Sequence, residues 1–236
     1  MIQFKMVRKQ FKNKEVIQEL SFEVKAGECF ALCGGNGAGK STLLKMLTGI
    51  YTPDSGAITL NGEPVNRTLD FKRQFAFMPD DLSFLPHASG RETLEFFAKL
   101  QKLPIQRAAK LLERVGLTED ADRKVKTYSK GMQQRLSFAQ SLLSDAPILV
   151  LDEPTNGLDP FWVHRMKEMI LEEKALGRTV LFTTHILSLV EEIADTLAFL
   201  QNGQLLVQSP VEDLLKSHSS LDAALFSEYE KKAVLH

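Results

Sequence analysis

The most constraining stretch of the chain is Gly34-Gly35-Asn36-Gly37-Ala38-Gly39-Lys40-Ser41. It follows a nearly continuous apolar run, Glu28–Cys33. It opens a segment, Ser41–Thr48, in which Leu43, Leu44 and Leu47 recur at helical spacing. Strand, glycine-rich turn and helix in that order fit G-x-x-x-x-G-K-[ST]. The chemistry explains the residue types. A polyphosphate wrapped by backbone N–H groups leaves no room for side chains and calls for positive φ. Gly34, Gly35, Gly37 and Gly39 meet that need, with Asn36 and Ala38 between them. The helix N-terminus adds partial positive charge. Lys40 offers a point charge to the β- and γ-phosphates, Ser41 offers a hydroxyl to Mg²⁺, and Thr42 completes the loop. The expectation is a nucleotide-binding protein.

The rest of the chain suits that reading. Leu20, Phe22 and Val24 alternate with polar neighbours, as in a half-buried strand. Ala57–Leu60 runs into the hairpin signal Asn61-Gly62, and Gln74–Met78 predicts a further strand. From about Arg91 to Leu143 the pattern turns helical, with Leu94, Phe97, Ala98 and Gln101 on one face and Ser129 starting a new run. Strands then alternate with helices: Ile148–Leu151, helical Trp162–Lys174, Thr179–Thr183, helical Ile186–Ala194. A hairpin around Asn202-Gly203 closes the series, before a polar tail of one or two short helices. Such alternation predicts a mostly parallel sheet with helices on its faces, interrupted by a helical lobe.

Two carboxylates end the strand Ile148–Leu151. Asp152 suits the shell of a Mg²⁺ ion, and Glu153 can face an attacking water as general base. Alone, such a pair is a solvated strand end; behind a phosphate loop it reads as hydrolytic machinery. His185, just past Thr179–Thr184, is placed to sense a γ-phosphate. Cys29 and Cys33 lie four apart with no histidine beside them, and read as inert buried thiols rather than a metal pair.

Together these motifs resemble the ABC-type ATPases, the nucleotide-binding domains of ATP-binding cassette transporters, as far as about Ser209. GGNGAGKST is similar to the Walker A motif, with Gly35 where proline is common, and ILVLDEP to Walker B. NGLD, with Asp159, is similar to the D-loop, and TTH, with His185, to the switch-histidine loop. TYSKGMQQR stands where the family signature LSGGQ is expected; Ser129 and Gly131 match, while Lys130 and Met132 depart. The resemblance implies a P-loop NTPase of the α/β class: a RecA-like core with an antiparallel β subdomain across residues 1–209, an inserted helical subdomain at about 82–145, and a helical tail over 210–236. It implies ATP and Mg²⁺, and a head-to-tail dimer, homo- or heteromeric, with each ATP held between one copy's Walker A and the other's signature. It gives Phe11 an adenine-stacking role, although as a residue it reads equally well as a core phenylalanine. Asp80 occupies the place of a glutamine at the entry to the helical lobe. Asp can ligate Mg²⁺ or hold water but cannot donate an amide hydrogen bond, so an altered Mg²⁺ dependence is expected.

The signature variant, the short tail and SLDAALFSEY are similar to ATPases of bacterial ABC-2-type exporters. That likeness implies a motor subunit peripheral on the cytoplasmic face of the membrane, driving a permease on a separate chain. Docking is expected near Asp80–Glu95, where Leu82, Phe84 and Leu85 are apolar. Composition agrees: 44% hydrophobic and 25% charged residues are globular values, and no apolar run approaches a membrane span. The alternative is a soluble ABC ATPase acting on ribosomes or DNA. With 29 Lys and Arg against 30 Asp and Glu, a net charge of −1 gives nucleic acid little footing. A nucleotide-gated module without catalysis is disfavoured by the intact Lys40, Asp152, Glu153 and His185.

Overall fold

The computed structural model describes residues 1–233, with side chains through Glu230; the last three residues of the expected tail lie outside the described residues. The chain opens with an antiparallel pair, β1 (Ile2–Phe11) and β2 (Lys14–Val24), followed by β3 (Cys29–Gly34) and α1 (Lys40–Leu47). Next come β4 (Ser55–Leu60), β5 (Glu63–Pro64), α2 (Leu69–Lys72) and β6 (Phe75–Met78). Three helices, α3 (Gly90–Leu100), α4 (Gln106–Arg114) and α5 (Lys130–Ser141), lie between β6 and β7 (Ile148–Leu151). The remainder alternates: α6 (Pro160–Ala175), β8 (Thr179–Thr184), α7 (Leu187–Ile193), β9 (Thr196–Gln201), β10 (Gln204–Pro210), α8 (Val211–Ser217) and α9 (Leu221–Ala233).

Two sheets result. An antiparallel sheet has the order β2-β1-β4-β5, and a larger sheet the order β10-β9-β3-β8-β7-β6. In the larger one only β10 runs antiparallel, against β9. Strand periodicity divides β3 between two cores. Cys29, Ala31 and Cys33 pack with residues of α3–α7, whereas Phe30 and Leu32 pack with α1 and the antiparallel sheet. A central sheet covered on both faces explains why the sequence of β3, β7 and β8 shows no polar alternation.

Local chemistry fixes the element ends. Ser89 and Glu92 form a reciprocal capping box at α3, and Ser129 Oγ accepts from Met132 N at 3.2 Å to start α5. Asn61 and Gly62, at φ 52° and 82°, turn β4 into β5. On α3, Leu94 and Ala98 are buried and Phe97 half-buried, but Gln101 is exposed, because it sits beyond the last turn as the C-cap.

Candidate nucleotide site

The glycine-rich loop hangs between the end of β3 and the start of α1, at the carboxyl edge of the parallel strands, where ligands bind in open α/β sheets. Its glycines are sterically required at two points. A Cβ on Gly34, at φ 150°, would stand 2.4 Å from the Leu200 carbonyl oxygen; one on Gly39, at φ 107°, would stand 2.4 Å from Ile17 Cδ1. No side chain caps α1 at Gly39, an arrangement that suits an anion at its first-turn N–H groups. The loop walls a cleft of about 280 Å³ lined by Gly35, Asn36, Gly37, Ala38, Gly39, Lys40, Ser41, Thr42, Asp80 and Glu153, together with Lys14 and Val16.

In and beside the cleft the charges are interlocked. Lys40 Nζ donates to the carbonyls of Gly34 at 2.7 Å and Gly35 at 3.4 Å, and lies 3.2 Å from Glu153 Oε1. Glu153 Oε2 meets His185 Nδ1 at 3.0 Å. The backbone of Glu153 is at φ 48°, an unusual value for a residue with a side chain, and it is pinned there. Its N–H donates to Thr183 Oγ1 at 2.8 Å, and its carbonyl accepts from Gln134 Nε2 at 2.8 Å and Asn156 N at 3.0 Å. That turn directs the carboxylate towards Lys40 and His185.

Asp152 is 2% exposed and accepts from Thr183 Oγ1 at 2.6 Å and Ser41 Oγ at 3.1 Å, both at Oδ1. Burial raises its carboxyl above the ordinary range, the two hydroxyls pull it down, and Asp80 and Glu153 push it up again. A hydroxyl and a buried carboxylate in contact, with a second carboxylate on the same cleft, form a hard-oxygen set deficient in positive charge, which suits Mg²⁺. Asp80 itself accepts from Asn156 Nδ2 at 2.9 Å.

Gly34, Asp152 and His185 adjoin the cleft through Lys40, Ser41 and Glu153, and Phe11, Asp159, Ser129 and Gly131 lie outside it. Phe11 ends β1; the residue is 37% exposed and its ring is edge-on to Tyr51, with centroids 5.2 Å apart, so it is not a core residue, and its register partner Lys14 is what lines the cleft. Asp159 caps α6, accepting from Trp162 N at 3.0 Å. Ser129 and Gly131 stand at the N-terminus of α5, where a Cβ on Gly131 would lie 3.1 Å from the Gly157 carbonyl. The sequence analysis gave no role to Lys14 or Val16, and quoted Gln134, Asn156 and Thr183 inside the motifs TYSKGMQQR, NGLD and TTH without a role of their own. For Thr183 a signal existed: a hydroxyl inside an apolar strand needs a buried partner. Cys29 and Cys33 are free and buried, and burial pushes the Cys29 thiol up to about 12 and that of Cys33 higher still.

Residues 17–156 match the family model described as ABC transporter. Over 226 residues the chain is 40% identical to the Nod factor export ATP-binding protein I of Burkholderia orbicola (strain AU 1054), covering 94% of this chain and 74% of that one. An ATP-binding subunit of an ABC transporter superposes with a TM-score of 0.85 at 30% identity, over 97% of this chain and 99% of the other. A dimeric ATP-binding cassette in a post-hydrolysis state, bound to ADP and Pi, shares the fold, with a TM-score of 0.82 at 22% identity over 89% and 98% of the two chains. The chain belongs to the ABC transporter family, as an ATP-binding and ATP-hydrolysing subunit.

Proposed function

We propose that the protein works as one of two ATP-binding subunits that close head to tail around ATP and drive a separate permease of the exporter kind. One observation carries the dimer. The cleft contains the phosphate loop, Asp80 and Glu153, while Ser129 and Gly131 of the same chain lie outside it, at the N-terminus of the twelve-residue α5. A helix N-terminus favours an anion, and a second copy can bring that terminus to the γ-phosphate. Asp159, close by on the same surface, then faces the partner, and Phe11 offers a half-exposed ring to adenine at the cleft's rim.

The chemistry follows from the interlocked charges. Lys40 exchanges Glu153 for phosphate oxygens, which frees Glu153 Oε1. That carboxylate takes a proton from water as the water oxygen bonds to the γ-phosphorus and the bond to the β-phosphate oxygen breaks, giving ADP and Pi. His185, held on Glu153 Oε2, reports the γ-phosphate. Ser41 and Asp152, with Asp80 beside them, would hold the Mg²⁺ that neutralises phosphate charge. ATP stabilises the closed pair and its hydrolysis releases it, a population shift driven by differential affinity.

No helix among the described residues is long and apolar enough to cross a membrane. On the helical lobe Leu85 and Phe96 are 70% and 54% exposed, and Phe84 and Phe96 both meet Phe97 edge-on. That apolar face supports docking to a permease on the cytoplasmic side of the membrane, and the Nod factor export relative supports an exporter. Photocrosslinkers placed at Leu85 and Phe96 in cells should capture an integral membrane polypeptide. Capture of ribosomal or other soluble components alone would favour the soluble alternative.

A further inference from the structure

Asp80 has a second claimant. Its Oδ1 accepts from Asn156 Nδ2 at 2.9 Å, and Asn156 Oδ1 accepts from Lys130 Nζ at 3.2 Å. The charges at the two ends fix the orientation of the amide between them, since a carboxylate needs its NH₂ and an ammonium its carbonyl. Lys130 is the first residue of α5, directly after Ser129. Its stem lies across Gly157, at φ 76°, where a Cβ would come within 2.8 Å of Lys130 Cδ. Glycine at 157 makes room for the lysine and sets its ammonium over Asn156. Asn156 belongs to the turn that carries Glu153, through its N–H to the Glu153 carbonyl at 3.0 Å, and Gln134 of α5 holds the same carbonyl. The signature helix and the catalytic turn are thus bound together, and Asp80, at the entry to the helical lobe, is tied to both by one exposed side-chain chain.

We propose that Asn156 and Lys130 are positioning residues that compete with the cleft cation for Asp80. When Asp80 turns to the cation, Asn156 loses its carboxylate and Lys130 loses the polarised partner that orders it. Cation binding in one cleft therefore loosens the side chains on the face that α5 offers to a second copy. This rests on the reading that Mg²⁺ binds at Ser41 and Asp152. Linkage makes the effect reciprocal: weakening the chain from the lysine end strengthens cation binding.

The test is a double-mutant cycle read by binding. In hydrolysis-arrested Glu153→Gln protein, kept dilute enough to stay monomeric, a fluorescent ATP analogue is bound while Mg²⁺ is titrated. Lys130→Met, which keeps the stem over Gly157, and Asn156→Ala should each lower the half-saturating Mg²⁺ on the order of threefold, a typical coupling between contacting groups. With Asp80→Ala in the background, both shifts should vanish. Shifts that persist undiminished without Asp80 would mean that Lys130 acts on the cation through space, and would overturn the proposal. So would the absence of any shift with Asp80 in place. Analogue binding that ignores Mg²⁺ altogether would instead remove the Mg²⁺ reading, and this inference with it.

Discussion

Glu153→Gln separates the ion pair that this carboxylate makes with Lys40 from the general-base role proposed for it. Glu153 Oε1 lies 3.2 Å from Lys40 Nζ, and the side chains are 12% and 6% exposed. At that distance a pair of unit charges attracts with about 5 kcal/mol gross at an effective dielectric of 20, most of it offset by desolvation of both ions. Glutamine keeps an acceptor for Lys40, which also retains the Gly34 carbonyl at 2.7 Å. The net cost is about 1–2 kcal/mol, or roughly 4 °C in melting temperature for a chain of this size. Adding Mg²⁺ and ATP reverses the order. Lys40 then has phosphate oxygens in either protein, glutamine does not repel the γ-phosphate, and ATP is not consumed. The nucleotide-induced rise in melting temperature should be larger in the variant, and phosphate release should fall about 10²- to 10⁴-fold. Thermal melting with and without Mg²⁺ and ATP, alongside phosphate release, checks all three. An unchanged or higher nucleotide-free melting temperature, or hydrolysis above a tenth of the wild-type rate, would refute the reasoning.

Asp152→Asn keeps an acceptor for Thr183 and Ser41 but removes a carboxylate that burial, above all, holds above its usual range. The folded protein holds that proton more tightly than the unfolded chain, so the group's contribution is most favourable below the unfolded value near 3.8 and is lost as pH rises through the raised folded value. The variant should melt about 2–4 °C higher than wild type at pH 7 without nucleotide, equivalent to about 1 kcal/mol, and lose the Mg²⁺-dependent shift with ATP. Gly34→Ala sets a Cβ 2.4 Å from the Leu200 carbonyl and 3.1 Å from Ala38 Cβ; urea unfolding should show a loss on the order of 2–4 kcal/mol, with weaker nucleotide binding. Cys29 and Cys33 are both fully buried, so a thiol reagent at pH 8 should label neither on the timescale that labels both in denaturant; fast labelling of the native protein would mean β3 is not packed as described.

Much of this site is legible in sequence because its chemistry restricts residue types within short spans. Glycines that must avoid Leu200 and Ile17, a lysine after them, and carboxylates at the end of an apolar strand all leave local signals. The two hairpins are legible for the same reason, since Asn61-Gly62 and Asn202-Gly203 satisfy a backbone demand. What escaped depends on tertiary approach. Gln134 is one of several polar residues on a helix until α5 packs against β6 and its amide finds the Glu153 carbonyl. Lys14 and Val16 line the cleft only because β2 folds over the loop, and Asn156 matters only because Asp80 faces it. The short α2 gave no periodic signal; the Thr68 cap that starts it is a single hydrogen bond, from Phe71 N at 3.2 Å.

The central claim is that the working site is assembled from two copies. Sedimentation velocity of Glu153→Gln tests it directly. With saturating ATP and Mg²⁺ the protein should sediment as a dimer, and as a monomer without ATP or when Ser129→Arg is added, while that second variant still binds nucleotide. A Glu153→Gln protein that stays monomeric at saturating ATP, alongside wild-type hydrolysis whose rate per chain does not change with protein concentration, would contradict the account.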